Sequence, residues 1–375
     1  MLKIFLLLLK FKINFKKLNN DKILLLDVIF KDILETIFNK KIEILKIRYE
    51  ELNFYILIKL IFSKKKKNFF NYVVTYIETV KPKLIITGMD NLIWFYKLKF
   101  IFPEIKFVSI QNGFRNKLFF EQIKKEKNLS CDFIFTFSKN VSNLYKKYIS
   151  TKTIEIGSIK NNFINKKKNK KKKTILFISG GFEQKKNEKH IYEDNKTFFF
   201  FNDYFKKDII LIRNLLKYCK KYNMNFIFLP KYSSSKGLKE IQFYLKEFNN
   251  SKIKFIRKKD KSPTIYKIAD NSMITITTTS TFGFENIARG NDTAIFNNKI
   301  EVSKKIMDIF WNFNFKKKGY FWSNKCNFEE VERVLNFYLK RKKRLTKLGF
   351  KKITSGLMIY DKNNKILKKT LLQFF

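Results

Sequence analysis

Histidine, cysteine, proline and glycine are all scarce in this sequence. One histidine, three cysteines, four prolines and eleven glycines occur among 375 residues. The single histidine, His190, leaves little for zinc sites or Ser-His-Asp triads, which commonly depend on imidazole groups. Cys131, Cys219 and Cys326 are odd in number and form no C-x-x-C motif. This usage argues against a disulfide framework and suits a reducing cytoplasm.

Long apolar runs are also missing. The run Ile4–Leu9 is far shorter than the roughly 20 residues that a membrane-spanning helix needs. It is also too short for a signal peptide, and no small-residue cleavage site follows it. Every other apolar stretch is interrupted by lysine before it reaches transmembrane length. We therefore expect a cytoplasmic protein, with peripheral contact at the inner face of the plasma membrane left open.

Positive charge, by contrast, is abundant. Lysine and arginine total 80 against 32 acidic residues, which gives a formal net charge of +48. Lysine supplies nearly all of this charge and is spread along the chain, whereas nucleic-acid-binding proteins favour arginine and concentrate charge on one face. The abundant Lys, Ile, Asn and Phe have A/T-rich codons, so the charge indicates genome composition. We expect no nucleic-acid partner, although a positive surface attracts phosphorylated substrates and anionic lipid.

Short apolar runs alternate with stretches of helical periodicity, which is the pattern of βαβ units and a parallel sheet. The predicted strands are 23–27, 42–47, 84–87, 105–110, 133–137 and 153–156 in the first half, and 174–178, 225–229, 252–256, 273–277 and 293–296 in the second.

The lysine- and asparagine-rich run Asn165–Lys173 separates the two halves, because like charges at this density cannot pack. The sequence therefore predicts an α/β protein with two Rossmann-like domains. The first covers 1–160, a linker covers 161–173, the second domain covers 174–325, and a helical segment covers 326–375.

Two turns in the second half have residue types that suit anion binding. The strand at 174–178 ends on Ser179-Gly180-Gly181, a small-residue turn with fewer glycines than the dinucleotide fingerprint. The segment 278–290, TTSTFGFENIARG, leads from a strand into a helix, where unpaired N–H groups and the helix dipole favour an anion. In that segment Glu285 suits a ribose diol. A plain N-capped helix explains the same residues.

Four segments together resemble a known family. The segment STFGFENIARG, which the predicted strand TAIF follows, resembles the signature S-T-x-G-[YF]-E-x-x-A-R-G of bacterial surface carbohydrate biosynthesis proteins. These proteins are transferases with a GT-B-like fold. Three other segments of that family resemble, in order, KPKLIITGMDN, IKFVSIQNGFR and WNFNFKKKGYFWSN. These matches span about residues 80–324, and none of them names a substrate.

The resemblance implies two Rossmann-like domains facing a cleft, with a nucleotide-sugar held by the second domain. The implied donor-binding residues are Gly180, Gly181, Lys231, Ser280, Thr281, Gly283, Glu285 and Arg289. In this scheme Gly283 allows a phosphate to approach the backbone, and Lys231 or Arg289 neutralises the diphosphate. We expect no metal and no other cofactor, because these groups replace the metal and the chain has no Asp-x-Asp motif.

The first domain would then hold the acceptor and a catalytic base. Asp90 is the candidate base, since it lies in a loop after a strand, where open parallel sheets bind ligands. Capping of the helix that begins near Leu92 is an equal alternative for Asp90. The candidate acceptor-binding residues are Gln111, Asn112, Gly113 and Arg115. Turn formation is the alternative for Asn112-Gly113, and His190 in the polar stretch 187–196 is interpreted as passive.

The function implied is transfer of a sugar or sugar-like group from a nucleotide-activated donor to a surface polysaccharide or a lipid-linked acceptor. Two alternatives stay open. One is a nucleotide-sugar 2-epimerase on the same fold, although that chemistry relies on a histidine and acidic groups in the cleft. The other is a basic protein without enzymatic activity that binds membrane or nucleic acid.

Overall fold

The computed structural model describes residues 12–18, 22–48, 51–166, 172–181, 189–191, 196, 198–249, 252–256, 263–313, 315–340 and 354–374. The apolar run Ile4–Leu9 and most of the predicted linker's lysine run lie outside this set. Among the described residues, no helix is both long and apolar enough to cross a membrane.

The chain divides into two units. The N-terminal unit contains 1–112, 122–163 and 361–375, and the C-terminal unit contains 113–121 and 164–360. The segment 361–375 belongs to the N-terminal unit, because Leu367 and Leu371 pack into the core of that unit. Residues 113–121 belong to the second unit, where the Phe114 ring lies 4.2 Å from the ring of Phe284 between centroids.

Parallel strands form the sheet of the N-terminal unit in the order β3-β2-β5-β6-β7-β8. A separate parallel ribbon pairs β1 with β4. The strands are β1 (Lys12–Asn14), β2 (Ile23–Leu26), β3 (Glu43–Leu45), β4 (Glu51–Asn53), β5 (Leu84–Thr87), β6 (Lys106–Ile110), β7 (Ser130–Thr136) and β8 (Ser150–Glu155). The helices are α1 (Lys31–Phe38), α2 (Phe54–Phe62), α3 (Phe69–Val80), α4 (Ile93–Ile101), α5 (Lys117–Lys124, shared with the second unit), α6 (Lys139–Lys146) and α7 (Ile159–Phe163).

The C-terminal unit has a second parallel sheet, in the order β13-β12-β9-β14-β15-β16, and an antiparallel hairpin of β10 and β11. Its strands are β9 (Lys172–Ile178), β10 (Lys189–Ile191), β11 (Phe198–Phe200), β12 (Asn225–Leu229), β13 (Ile253–Phe255), β14 (Ser272–Thr277), β15 (Thr293–Phe296) and β16 (Trp322–Ser323). Its helices are α8 (Phe201–Lys221), α9 (Ser235–Glu247), α10 (Pro263–Asn271), α11 (Thr281–Ala288), α12 (Lys304–Met307) and α13 (Phe328–Lys340); short 3₁₀ turns occupy Asn298–Glu301 here and Lys362–Asn364 before α14 (Lys365–Leu372) of the first unit.

Central strands of both sheets are apolar on both faces. Phe177 of β9 pairs with Phe228 of β12 and with Ile276 of β14, and all three side chains are fully buried. Such continuous apolar runs are typical of parallel strands buried on both sides. This explains why short uninterrupted runs, without alternation, predicted strands here.

Local capping decides where helices begin and end. Glu51–Asn53 form β4, and the helix that follows directly begins at Phe54. Asn53 ends the strand because its side chain accepts hydrogen bonds from the N–H groups of Tyr55 and Ile56. Helix α3 ends at Val80, where Lys81 adopts a left-handed conformation (φ 48°) before Pro82.

Strand order indicates where ligands bind. In the C-terminal sheet the chain builds outwards from β9 to β12 and β13, then returns to β14 on the other side of β9. Connections after β9 and β14 therefore leave in opposite directions and open a crevice at the carboxyl ends of these strands. In the N-terminal sheet the equivalent reversal lies between β2 and β5.

Candidate functional site

The turn after β9 lies at this reversal point and depends on its two glycines. A Cβ on Gly180 would lie 2.4 Å from Oγ1 of Thr279, which follows β14. Gly181 has φ +101°, and a Cβ there would lie 2.4 Å from Cδ of Lys231, which follows β12. The fold thus brings Gly180, Gly181 and Lys231 together, as the resemblance implied, and adds Thr279, which sequence reasoning missed.

A buried ion pair lies directly against the same turn. The Lys299 ammonium is 2.7 Å from Oδ2 of Asp208, and it would be 3.2 Å from a Cβ on Gly180. The Lys299 nitrogen also lies 3.4 Å from the centroid of the Tyr204 ring. Burial lowers the pKa of Lys299, but the Asp208 carboxylate and Tyr204 outweigh it and raise the pKa above its usual value. The lysine therefore carries a positive charge beside the turn.

Sequence reasoning missed this pair. Asp208 lies within α8 and Lys299 in the 3₁₀ turn after β15, 91 positions apart. Each resembles an ordinary surface residue in a lysine-rich chain. The signal that could have found Lys299 is its place just after a predicted strand, in the same kind of loop as the other candidates.

Helix α11 begins beside the turn with its first N–H groups unmet by a capping side chain. Ser280 is the N-cap residue, and its hydroxyl makes no capping hydrogen bond. Its own N–H donates to Oγ1 of Thr277 at 3.2 Å. Ser280 and Thr281 are both half-buried. The start of α11 thus has N–H groups without a side-chain cap and two half-buried hydroxyl groups beside them. Anion binding here stays a prediction.

Gly283 and Glu285 of α11 both contact other elements of the C-terminal unit. Gly283 was expected to let a phosphate approach, but a Cβ there would lie 2.2 Å from Cγ2 of Thr277, so this glycine lets the helix pack on β14. Glu285, which was expected to suit a ribose diol, follows Ser280 by five positions and lies in the second helical turn. There it is buried and accepts a hydrogen bond from the hydroxyl of Tyr266 at 2.7 Å.

Arg289 was expected to neutralise a diphosphate, and the structure uses it differently. Its guanidinium is fully buried, donates to both carboxylate oxygens of Asp270 at 3.1 and 2.7 Å, and donates to the carbonyl of Ile164 at 2.7 Å. It also lies 5.1 Å from the centroid of the Tyr266 ring. Arg289 thus connects α10 and the backbone at Ile164 to the end of α11 within the C-terminal unit.

In the N-terminal unit, Asp90 links neighbouring loops at the carboxyl edge of the sheet. Its fully buried carboxylate accepts hydrogen bonds from the N–H of Asn112 at 3.1 Å and from the hydroxyl of Tyr145. It does not cap α4, whose N-cap is Leu92 and lacks a side-chain bond. The helix-cap alternative was therefore wrong. Asp90 as a catalytic base stays a prediction.

The candidate acceptor residues separate between the units. Gln111 is buried in the N-terminal unit, where its Oε1 accepts from the N–H of Phe137 at 2.8 Å, and Asn112 lies next to Asp90 as described above. Gly113 and Arg115 belong to the C-terminal unit, in which the Arg115 carbonyl accepts from the indole of Trp311 at 2.9 Å. The backbone of His190 lies in β10; its side chain is outside the described residues.

A polar cavity of about 500 Å³ in the N-terminal unit contains none of the predicted residues. It opens beside β3, where the buried Glu43 accepts from the hydroxyl of Tyr76 at 2.9 Å and from Lys16 at 3.0 Å. Burial, together with Glu43, raises the pKa of Tyr76, so the phenol stays protonated. The Glu43 carboxylate of this cavity is thus already bound by groups of the protein.

Comparison with known sequences identifies the family. Residues 108–374, more than two thirds of the chain, match a family described as "putative O-antigen biosynthesis protein". This chain belongs to that family. The resemblance to surface carbohydrate biosynthesis proteins is thereby confirmed at the level of the family. No curated protein sequence matches the chain significantly.

Similar solved structures establish the fold. UDP-GlcNAc 2-epimerase of Methanocaldococcus jannaschii, solved with UDP-GlcNAc and UDP, has a TM-score of 0.50 and 14% identity, over 94% of this chain and 99% of that one. A variant of the wall teichoic acid polymerase TagF has a TM-score of 0.51 and 10% identity, over 95% and 89%. The O-antigen family member described here thus has the predicted GT-B-like fold, with two Rossmann-like α/β domains.

Proposed function

We propose that this protein is a glycosyltransferase that moves a sugar or sugar-like group from a nucleotide-activated donor to a surface glycan or lipid-linked acceptor. One observation carries the proposal. At the reversal point of the C-terminal sheet, the glycine turn at Gly180 and Gly181, Lys231 and the open start of α11 lie around one crevice. Backbone N–H groups and a lysine in this arrangement suit the phosphates of a nucleotide.

The chemistry follows from charge at that position. As the bond between the sugar carbon and the donor phosphate breaks, negative charge grows on the departing nucleoside diphosphate. N–H groups at the α11 start, with Lys231, stabilise that charge, and the ammonium end of the Lys299–Asp208 pair lies beside Gly180. The acceptor hydroxyl bonds to the sugar carbon and gives up its proton to a base. Asp90 is the proposed base.

Nucleotide binding is tested first, by thermal unfolding with UDP, GDP, CMP, CDP and TDP compounds. A ligand at about 100 times its Kd stabilises a fold by about 2.7 kcal/mol. We expect one nucleotide to raise the Tm, and Lys231→Met to weaken that effect. Lys254→Met is the matched control, since Lys254 is an exposed lysine of β13 in the same unit. The absence of any shift across the nucleotides would remove the proposal.

The reaction is tested with the stabilising nucleotide-sugar. A transferase releases nucleotide only when an acceptor glycan or lipid-linked saccharide is present. Conversion of the nucleotide-sugar alone into its epimer, without acceptor, would replace our proposal with the 2-epimerase alternative. The two outcomes differ in their products, so one chromatographic assay separates them.

A further inference from the structure

Helix α2 of the N-terminal unit presents an apolar surface to solvent. Its sequence, FYILIKLIF, contains one charged residue, and Ile56 and Leu60 are its buried positions. Tyr55, Ile61 and Phe62 are 48%, 46% and 86% exposed. A surface helix normally turns polar residues outwards. This outward face therefore needs an explanation other than the packing of the unit's own core.

The exposed surface extends beyond the helix. Phe15, which is 64% exposed, lies with its ring 4.9 Å from the ring of Phe54. The pairing of Asn14 with Asn53 in the β1–β4 ribbon places Phe15 beside the start of α2. We call Phe15, Tyr55, Ile61 and Phe62 the apolar face. Clustered apolar exposure of this kind marks an interaction surface, unlike single scattered residues.

Lysines flank the apolar face at both ends. Lys17 follows Phe15, and Lys64 and Lys66 follow the end of the helix. All three are exposed, and their ammonium groups make no ion pair with any residue that the structure describes. Nearby acidic groups are already paired, Glu43 with Lys16 and Glu78 with Lys65. The charge around the apolar face is therefore positive and not locally neutralised.

We propose that the apolar face docks on the surface of an anionic lipid bilayer. Exposed aromatic and aliphatic side chains can enter the headgroup region while the flanking lysines contact anionic headgroups. A second copy of the chain fits less well, because pairing two such faces would bring like-charged lysine groups together. The apolar face contains none of the residues of the proposed transferase site, and docking on lipid needs no nucleotide.

Flotation of the full chain with phosphatidylcholine vesicles, with and without phosphatidylglycerol, tests this docking. We expect binding to the anionic vesicles and little to the neutral ones. The pair Ile61→Ser and Phe62→Ser should lower the partition coefficient at least tenfold, since each side chain loses apolar burial. Changing Lys17, Lys64 and Lys66 to Gln should lower it roughly 100-fold, at about fivefold per lysine.

Helices α8 and α9 of the other unit provide controls. Leu238 and Leu245 are 46% and 51% exposed, so Leu238→Ser with Leu245→Ser removes exposed apolar surface outside the apolar face. Changing Lys220, Lys239 and Lys246 to Gln removes the same charge from exposed positions. Both controls should bind vesicles like the unaltered protein. Thermal unfolding of every variant checks that the fold is retained.

Several results would overturn the proposal. Controls that weaken binding as much as the test variants would show that charge or apolarity acts without a defined surface. Equal binding to neutral vesicles would remove the role of the lysines. A dimer that dissociates on Phe62→Ser would assign the face to a second copy. A polyanion partner would be indicated instead if the lysine changes weakened binding to heparin while the changes at Ile61 and Phe62 left vesicle binding unaltered.

Discussion

Lys299 and Asp208 form an ion pair with side chains only 1% and 0% exposed to solvent, although they lie 91 positions apart. One oxygen of the pair, Oδ1 of Asp208, has no hydrogen-bond partner among the described residues. The pair holds a lysine charge beside Gly180, where we propose that donor phosphates bind. A buried ion pair adds little net stability on average. We therefore interpret this pair as holding a charge at a defined position.

Breaking this pair should destabilise the protein strongly. Lys299→Met leaves the Asp208 carboxylate buried without its cation, at a cost of about 3–5 kcal/mol in the free energy of unfolding. Lys299→Met combined with Asp208→Leu should cost less than either change alone, because no charge is left unpaired. Urea unfolding of the four proteins gives the coupling energy. Additive losses would show that the two groups do not interact.

The two roles considered for Gly283 predict different outcomes for Gly283→Ala. The added Cβ meets the Thr277 side chain, so we expect a loss of about 1–3 kcal/mol of stability. Gly113→Ala is the matched control, because its Cβ would approach Arg115 and Thr281 no closer than 3.7 Å. Unchanged unfolding together with weakened nucleotide binding would restore the phosphate-approach role that the sequence suggested.

Asp90→Asn distinguishes a catalytic base from a positioning residue. The side-chain amide of this variant points its NH₂ group at one of the two hydrogen-bond donors, the Tyr145 hydroxyl or the Asn112 N–H. The lost hydrogen bond should cost about 1–3 kcal/mol in the free energy of unfolding. If Asp90 is the catalytic base, Asp90→Asn should lower kcat about 10²–10⁴-fold, and Tyr145→Phe should not produce this loss. If Asp90 only positions the loop, Tyr145→Phe should reduce stability and turnover in the same way. Measuring Tm, kcat and KM for both variants separates these roles.

The buried thiols should be inert in the folded protein. Burial raises the pKa of Cys131 to about 12, against the opposing hydrogen bond with Thr151, and raises the pKa of Cys219 to about 12. At pH 8 the reactive thiolate is then about one part in 10⁴. A thiol reagent should therefore label half-buried Cys326 first, and all three only after unfolding. Rapid labelling of a Cys326→Ser variant would contradict this.

Local patterns were enough to predict much of the fold. Apolar runs such as 225–229 and 293–296 form strands with the predicted bounds, because a buried parallel strand needs only a short continuous apolar segment. The start of a helix depends on single side chains. Asn53 accepts two hydrogen bonds from the first turn of α2, so this helix begins at Phe54. That choice between strand and helix is too local for periodicity to detect.

The candidate site was predictable where it lies in loops that follow strands. Gly180, Gly181 and Ser280 were proposed because they follow strands, since the carboxyl ends of parallel strands meet at one edge, and Lys231 was implied by the resemblance. The contacts of Glu285 and Arg289 within the protein were not predicted, because a motif shows residue type and spacing but not the partner. Their partners, Tyr266 and Asp270, come from a different helix, α10.

Sequence alone determined the α/β class, the two parallel-sheet halves and the family, because apolar periodicity and motif order are properties of neighbouring residues. Only the tertiary structure decided which polar groups are spent on the fold. It bound Arg289 to Asp270, turned Gly283 towards Thr277, and paired Lys299 with Asp208. The physical reason is that a buried charge needs a partner, and the fold can supply that partner from any part of the chain. Sequence separation therefore does not show which residues come into contact.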